Sequence, residues 1–76
     1  MNIPVIDMQR TGQNICDIRT RKGISVRELQ NMLGFGTPQA IYKWQQGHSL
    51  PTVDNLVALS AIFQVAIDEI LFVEER

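Results

Sequence analysis

The chain has 76 residues, 45% of them hydrophobic, and a formal charge of −1, which bounds it to one small domain (1–76) with a core only marginally sufficient for folding and little room for a multi-step catalytic site. Its wholly apolar runs are only a few residues long, so neither a membrane span nor a signal peptide is predicted. One cysteine, Cys16, and one histidine, His48, provide no internal disulfide, no metal site and no cofactor site, and a reducing, cytoplasmic setting is the expectation.

Residues 1–6 are mildly apolar, interrupted by Pro4, and are expected to be a loose tail, as are residues 73–76. Asp7 is placed to cap a helix running to about Lys22, with Met8, Gly12, Ile15 and Ile18 facing a core at spacings of four and three. Gly12 would let a neighbouring helix approach closely. Arg21 and Lys22 give this helix a cationic end, which complements its dipole. Ser25 and Glu28 form an S-x-x-E capping box, followed by an apolar stripe of Leu29, Met32 and Leu33. Gly34 suits the left-handed residue that closes a helix, Gly36 adds freedom to the turn, and Thr37-Pro38 reads as N-cap and first residue of a third helix.

At about 100° per residue, Ile41 and Trp44 share one face of that third helix and Gln39, Tyr42, Lys43 and Gln46 crowd the other. Glutamine can pair with adenine in bidentate fashion, lysine can donate to guanine or phosphate, and tyrosine offers a ring and a hydroxyl. Taken alone, the helix fits an ordinary solvated face as well as it fits a groove-reading one. His48, Ser49, Leu50 and Pro51 form a loop with Leu50 inward, and an ordinary exposed histidine is favoured there over a pH switch. Thr52 is expected to cap a fourth helix with a stripe of Val53, Leu56, Leu59, Ile62 and Phe63. After a break at Gln64, Val65 and Ala66, residues 67–71 form a short fifth helix with Asp68 and Glu69 in its first turn and no side-chain cap from Ala66. Phe72 either closes the core or joins Leu71 and Val73 in a dimer contact.

Charge is unevenly placed. Residues 1–43 carry six basic against three acidic side chains, and residues 44–76 carry one against five; the third helix lies at the end of the basic part. An enzyme is not expected: Cys16 and Asp17 with His48 lack an oxyanion site, the acidic pairs Asp68-Glu69 and Glu74-Glu75 lack metal-site partners, and Gly34-x-Gly36 lacks the rest of a phosphate loop.

The two helices and their turn resemble the helix-turn-helix of the phage-repressor (Xre/Cro-like) DNA-binding family. The resemblance covers about residues 11–72. It is carried by Thr11-Gly12, Ile15, Ile18-Arg19, Lys22-Gly23, Ser25, Glu28-Leu29, Leu33-Gly34, Ile41, Trp44, Gly47, Pro51, Leu56, Leu59, Val65 and Asp68-Glu69-Ile70-Leu71. It implies an all-α, compact five-helix, lambda-repressor-like domain whose third helix, about residues 38–46, enters the major groove of double-stranded DNA while the second crosses the backbone. By position Gln39 and Lys43 match the family's base readers, with Tyr42 and Gln46 next. Thr37, Arg27, Ser25 and His48 are the expected phosphate contacts.

The resemblance further implies a bacterial or phage-type transcriptional regulator, a repressor in the first instance, bound as a homodimer to a pseudo-palindromic operator. The alternative is a protein-interaction or antitoxin-like module that keeps the scaffold, binds a protein partner and has weak or no DNA binding of its own; the acidic pI of 5.6 and exposed Tyr42 favour it. Four departures from the family bear on the choice. Gln45 stands where a glutamate often pairs with Arg19, so Arg19 is expected to be partly exposed or to find another carboxylate. Ile41 follows Gly34 by one residue more than usual. Gln30 replaces a small alanine, for which the longer turn could compensate. Val26 replaces a polar residue that bonds a phosphate.

Overall fold

In the computed structural model, which describes residues 2–75, five helices follow one another: α1 (Met8–Arg21), α2 (Val26–Leu33), α3 (Gln39–Gln45), α4 (Val53–Phe63) and α5 (Ile67–Ile70). The expected punctuation starts α1 and both starts and stops α2. The Arg10 amide donates to Asp7 Oδ1 at 2.9 Å at the head of α1. The capping box at α2 is reciprocal: the Glu28 amide donates to Ser25 Oγ at 3.0 Å and the Ser25 amide to Glu28 Oε1 at 3.1 Å. Gly34, with φ of +74°, ends α2 in the left-handed conformation. Gln64 does the same for α4 at φ +58°, a position where glycine is usual.

Every helix contributes to the core: Ile15 and Ile18 from α1, Leu29 from α2, Ile41 and Trp44 from α3, Leu59 and Phe63 from α4, and Ile70 from α5. Two polar contacts lock α1 to the far end of the chain. Asn14 Nδ2 donates to the Ile70 carbonyl at 3.1 Å, and buried Thr11 accepts the Phe72 amide on Oγ1 at 2.9 Å. Phe72 itself is half-buried, with the Arg10 guanidinium 4.6 Å from its ring centroid.

Several expectations need correction. The fold is mostly helical but also holds a small sheet: β1 (Pro4–Ile6) and β2 (Val73–Glu75) pair antiparallel, Pro4 with Glu75, Val5 with Glu74 and Ile6 with Val73. The segments expected as tails thus satisfy each other's backbone, and only their outermost residues, 1 and 76, lie outside the described residues. Asp7 donates its amide to the Phe72 carbonyl at 2.8 Å, which puts the inward-bonding positions at Asp7 and Val5; Pro4, having no N–H to give, faces the open edge.

Met8, Met32 and Val53, read as core, are 36%, 56% and 79% exposed. Met8 lies in the first turn of α1. On α2 the buried stripe centres on Val26, Leu29 and Leu33, which leaves Met32 about a quarter-turn or more away from it. Val53 likewise falls off the Leu56, Leu59 and Phe63 face of α4. Neither threonine caps as expected: α3 starts one residue later, with Pro38 as its N-cap and no side-chain bond, and the Thr52 hydroxyl bonds the Asp54 carboxylate rather than a backbone amide.

Glu28 is held below the ordinary carboxylate range, chiefly by the Ser25 amide and then by the Ser25 hydroxyl, and Asp54 likewise, chiefly by the Thr52 hydroxyl and then the Asn55 amide. A pKa lowered by folding contributes stability that is complete above the unfolded value and disappears as pH falls through the folded one. Denaturant titrations from neutral pH into acid are expected to show this loss, and Glu28→Gln and Asp54→Asn are each expected to flatten part of it.

Candidate nucleic-acid interface

α3 presents its outer face because its inner face is committed. Ile41 is fully buried and Trp44 nearly so, which leaves Gln39, Tyr42, Lys43 and, at the C-cap, Gln46 on the outward side, with Tyr42 45% exposed. The C-terminal end of α3 is seated on α1 at Gly12, where an added Cβ would stand 2.1 Å from the Trp44 carbonyl oxygen and 2.9 Å from that of Gln45. Gly47 (φ +77°) is also seated on α1, where an added Cβ would stand 2.9 Å from the Gln9 Cα. The expectation of close helix approach at Gly12 therefore holds, and its partner is α3.

Arg19 joins three parts of this assembly. Its Nε donates to Gln45 Oε1 at 2.9 Å, Nη1 to the Ile24 carbonyl at 2.9 Å, and Nη2 approaches Cys16 Sγ at 3.8 Å. The side chain is half-buried, and no carboxylate pairs with it among the described residues. As expected for a neutral partner, the guanidinium keeps part of its hydration.

Of the expected phosphate contacts, Arg27 and Thr37 are exposed, and Ser25 and His48 also reach the surface. Thr37 stands in the turn immediately before α3, Arg27 and Ser25 at the head of α2, and His48 just past α3, its amide donating to the Lys43 carbonyl at 2.9 Å. Ser25 Oγ accepts the Glu28 amide and its proton faces the Glu28 carboxylate, so a phosphate contact from this hydroxyl competes with the capping box. Among the described residues neither Arg27 nor Lys43 forms an ion pair. Val26 packs against the core, which accounts for an apolar residue there.

What the sequence concealed is how the longer turn is held. The Phe35 amide donates to the Gln30 carbonyl at 3.0 Å, Gln30 Nε2 donates to the Phe35 carbonyl at 3.2 Å, and the Phe35 ring meets Trp44 edge-on, 5.8 Å between centroids. A glutamine at the position of a small alanine is legible as a departure; its bond to a backbone carbonyl is not.

Residues 17–70 match the family model described as Helix-turn-helix. The chain belongs to this helix-turn-helix family. It is 33% identical over 63 residues to the HTH-type transcriptional activator BcrR of Enterococcus faecalis, covering 83% of this chain but only 30% of BcrR. Among solved structures it is similar to the restriction-modification controller protein C.AhdI from Aeromonas hydrophila, with a TM-score of 0.75 at 22% identity over 84% of this chain and 96% of that one. The DNA-binding domain of BldD from S. venezulae gives 0.73 at 21% identity, over 87% of this chain and 97% of that one. These likenesses establish the five-helix helix-turn-helix fold. No helix among the described residues is long and apolar enough to cross a membrane.

The seat of α3 gives a direct test. Gly12→Ala is expected to lower unfolding free energy by about 2 kcal/mol or more, since backbone and not a flexible side chain must give way. Gly36→Ala, where nothing lies within 4 Å of the new Cβ, is expected to stay within about 0.5 kcal/mol of wild type. Urea unfolding of the two variants checks the contrast.

Proposed function

We propose that the chain reads double-stranded DNA through α3 as the sequence-specific unit of a transcriptional regulator, and that it represses by occupying a promoter. The observation that carries this is a short helix with a fully committed inner face and an outward polar set, Gln39, Tyr42, Lys43 and Gln46. In this reading Gln39 and Lys43 contact base edges, Tyr42 and Gln46 flank them, and Thr37, Arg27, Ser25 and His48 hold the phosphates. Few base pairs fall under one such helix. Specific occupancy therefore requires a homodimer on a pseudo-palindromic site with half-sites about 34 Å apart.

A second reading has a specific support: BcrR, of which this chain spans 30% of the length, is described as an activator. Both readings require the same groove contact and differ in where the site lies relative to the promoter. A reporter driven by the bound promoter separates them, since expression falls with a repressor and rises with an activator. The protein-interaction alternative needs no groove contact, whereas an antitoxin-like protein would combine DNA binding with a protein partner.

The deciding measurement is fluorescence anisotropy with a duplex selected from a random pool and with a scrambled duplex, each at several salt concentrations. Binding is expected to prefer the selected duplex, to weaken with salt and to saturate at two chains per site. Lys43→Ala is expected to weaken binding, and Gln39→Ala to relax preference at one base position by about 1–3 kcal/mol. Unchanged affinity and preference in both variants would refute the assignment of contacts. A folded protein that binds neither duplex at low salt would point to the partner-binding module.

A further inference from the structure

α3 is positioned at both ends, and the two ends are held differently. Its C-terminal end is fixed by close backbone contact at Gly12 and by the Arg19 to Gln45 bond. Its N-terminal end, which carries Thr37 and Gln39, emerges from a turn with much weaker support. Gly36 and Thr37 are exposed, and α3 has no side-chain cap. Into this turn, among the described residues, runs one side-chain hydrogen bond, from Gln30 Nε2 to the Phe35 carbonyl.

That bond closes a small reciprocal clamp. Phe35 gives its amide to the Gln30 carbonyl and receives the Gln30 side chain on its own carbonyl, so both polar groups of its backbone are satisfied by one residue of α2. The Phe35 ring, held by the clamp, packs edge-on against Trp44 on the buried face of α3. A continuous path thus runs from α2 through Gln30 and Phe35 to α3. Glutamine suits the position because its amide donates; a small residue there would leave the Phe35 carbonyl without this donor, and an apolar residue of equal length would do the same.

We infer that Gln30 is a positioning residue for DNA sequence reading: by clamping Phe35 it fixes the entry of the chain into α3 and so the placement of Gln39 against base edges, without itself touching DNA. The inference rests on the DNA-reading function proposed above. Bidentate base contacts depend on alignment, whereas Arg27, Ser25 and His48, three of the four proposed phosphate contacts, lie outside this turn and keep their places when it loosens. Loosening the clamp should therefore cost discrimination and spare general affinity.

The test compares wild type with Gln30→Met, which keeps side-chain length and removes the donor. Each protein is taken through selection from a random duplex pool, and binding to the wild-type-selected duplex and to a scrambled duplex is measured across salt. The ratio of the two affinities is expected to fall about tenfold in Gln30→Met, with scrambled-DNA affinity and its salt slope as in wild type, and with faster amide exchange at Phe35 in the free protein. An unchanged affinity ratio and selected sequence would overturn the inference while leaving the DNA-reading function intact. An equal fall on both duplexes would also overturn it, since that marks a general loss of structure, which thermal unfolding would register. If wild type itself selects no sequence, the DNA-reading function fails and the inference fails with it.

Discussion

The structure depends on burying two side chains of a helix too short to exist alone. Seven residues make two turns, and starting a helix in water costs about 4 kcal/mol from the nucleation constant alone. Ile41 and Trp44 offset this, each contributing roughly 1.5–3 kcal/mol on removal from water. Their burial also orients the helix: with the positions of Ile41 and Trp44 fixed, Gln39, Tyr42, Lys43 and Gln46 have only the outward direction left. The outward polar face is therefore a by-product of the core, and whatever moves Trp44 moves it too.

Electrostatics are arranged to suit that face despite a formal net charge of −1. Glu28, the acid in α2, is occupied at its own helix start, where its carboxylate accepts the Ser25 amide and its own amide donates to the Ser25 hydroxyl oxygen. Arg27 and Lys43, in α2 and α3, form no ion pair among the described residues. Most of the acids of the C-terminal half lie in α5 and β2, elements joined to α1, α4 and β1. Arg19 is deployed differently. Its guanidinium ties the α1–α2 connection to the end of α3 through neutral acceptors, and it stays half-exposed because neither the Gln45 amide nor the Ile24 carbonyl replaces lost hydration of a full charge.

How much of this is legible in the sequence depends on the range of each interaction. The capping box, the Gly34 stop and the Ile41–Trp44 face are encoded within a few residues and can be read directly. The roles of Thr37 and Thr52 cannot: a hydroxyl at an N-cap position bonds whichever acceptor or donor is nearest, and Asp54 competes for Thr52. Helical periodicity locates stripes but not their edges, which is why Met32 and Val53 fall a fraction of a turn outside them. The sheet is invisible locally because its strands are three residues each and separated by nearly the whole chain; pairing of that kind leaves no pattern beyond a proline placed where no amide is needed. For the interface, Gln39, Tyr42, Lys43 and Gln46 are recognisable as one face, whereas the Gln30 clamp depends on where the turn folds back.

Two departures within the helix-turn-helix, the extra turn residue and the missing small side chain, are answered by a single arrangement. A longer turn raises the conformational freedom of the chain entering α3, and loop-closure entropy alone grows only slowly with length, so the cost is less in stability than in precision. Gln30 reaches back into the turn because left-handed Gly34 folds Phe35 over the end of α2, where its amide meets the Gln30 carbonyl and its carbonyl comes within reach of the Gln30 side chain; an alanine would offer that carbonyl no donor. With Arg27 and Lys43 as the cations of α2 and α3, general attraction to phosphate is modest. In the proposed DNA-reading role, selectivity then falls to neutral amides held in register, and a clamp that uses one amide to fix another serves that division of labour.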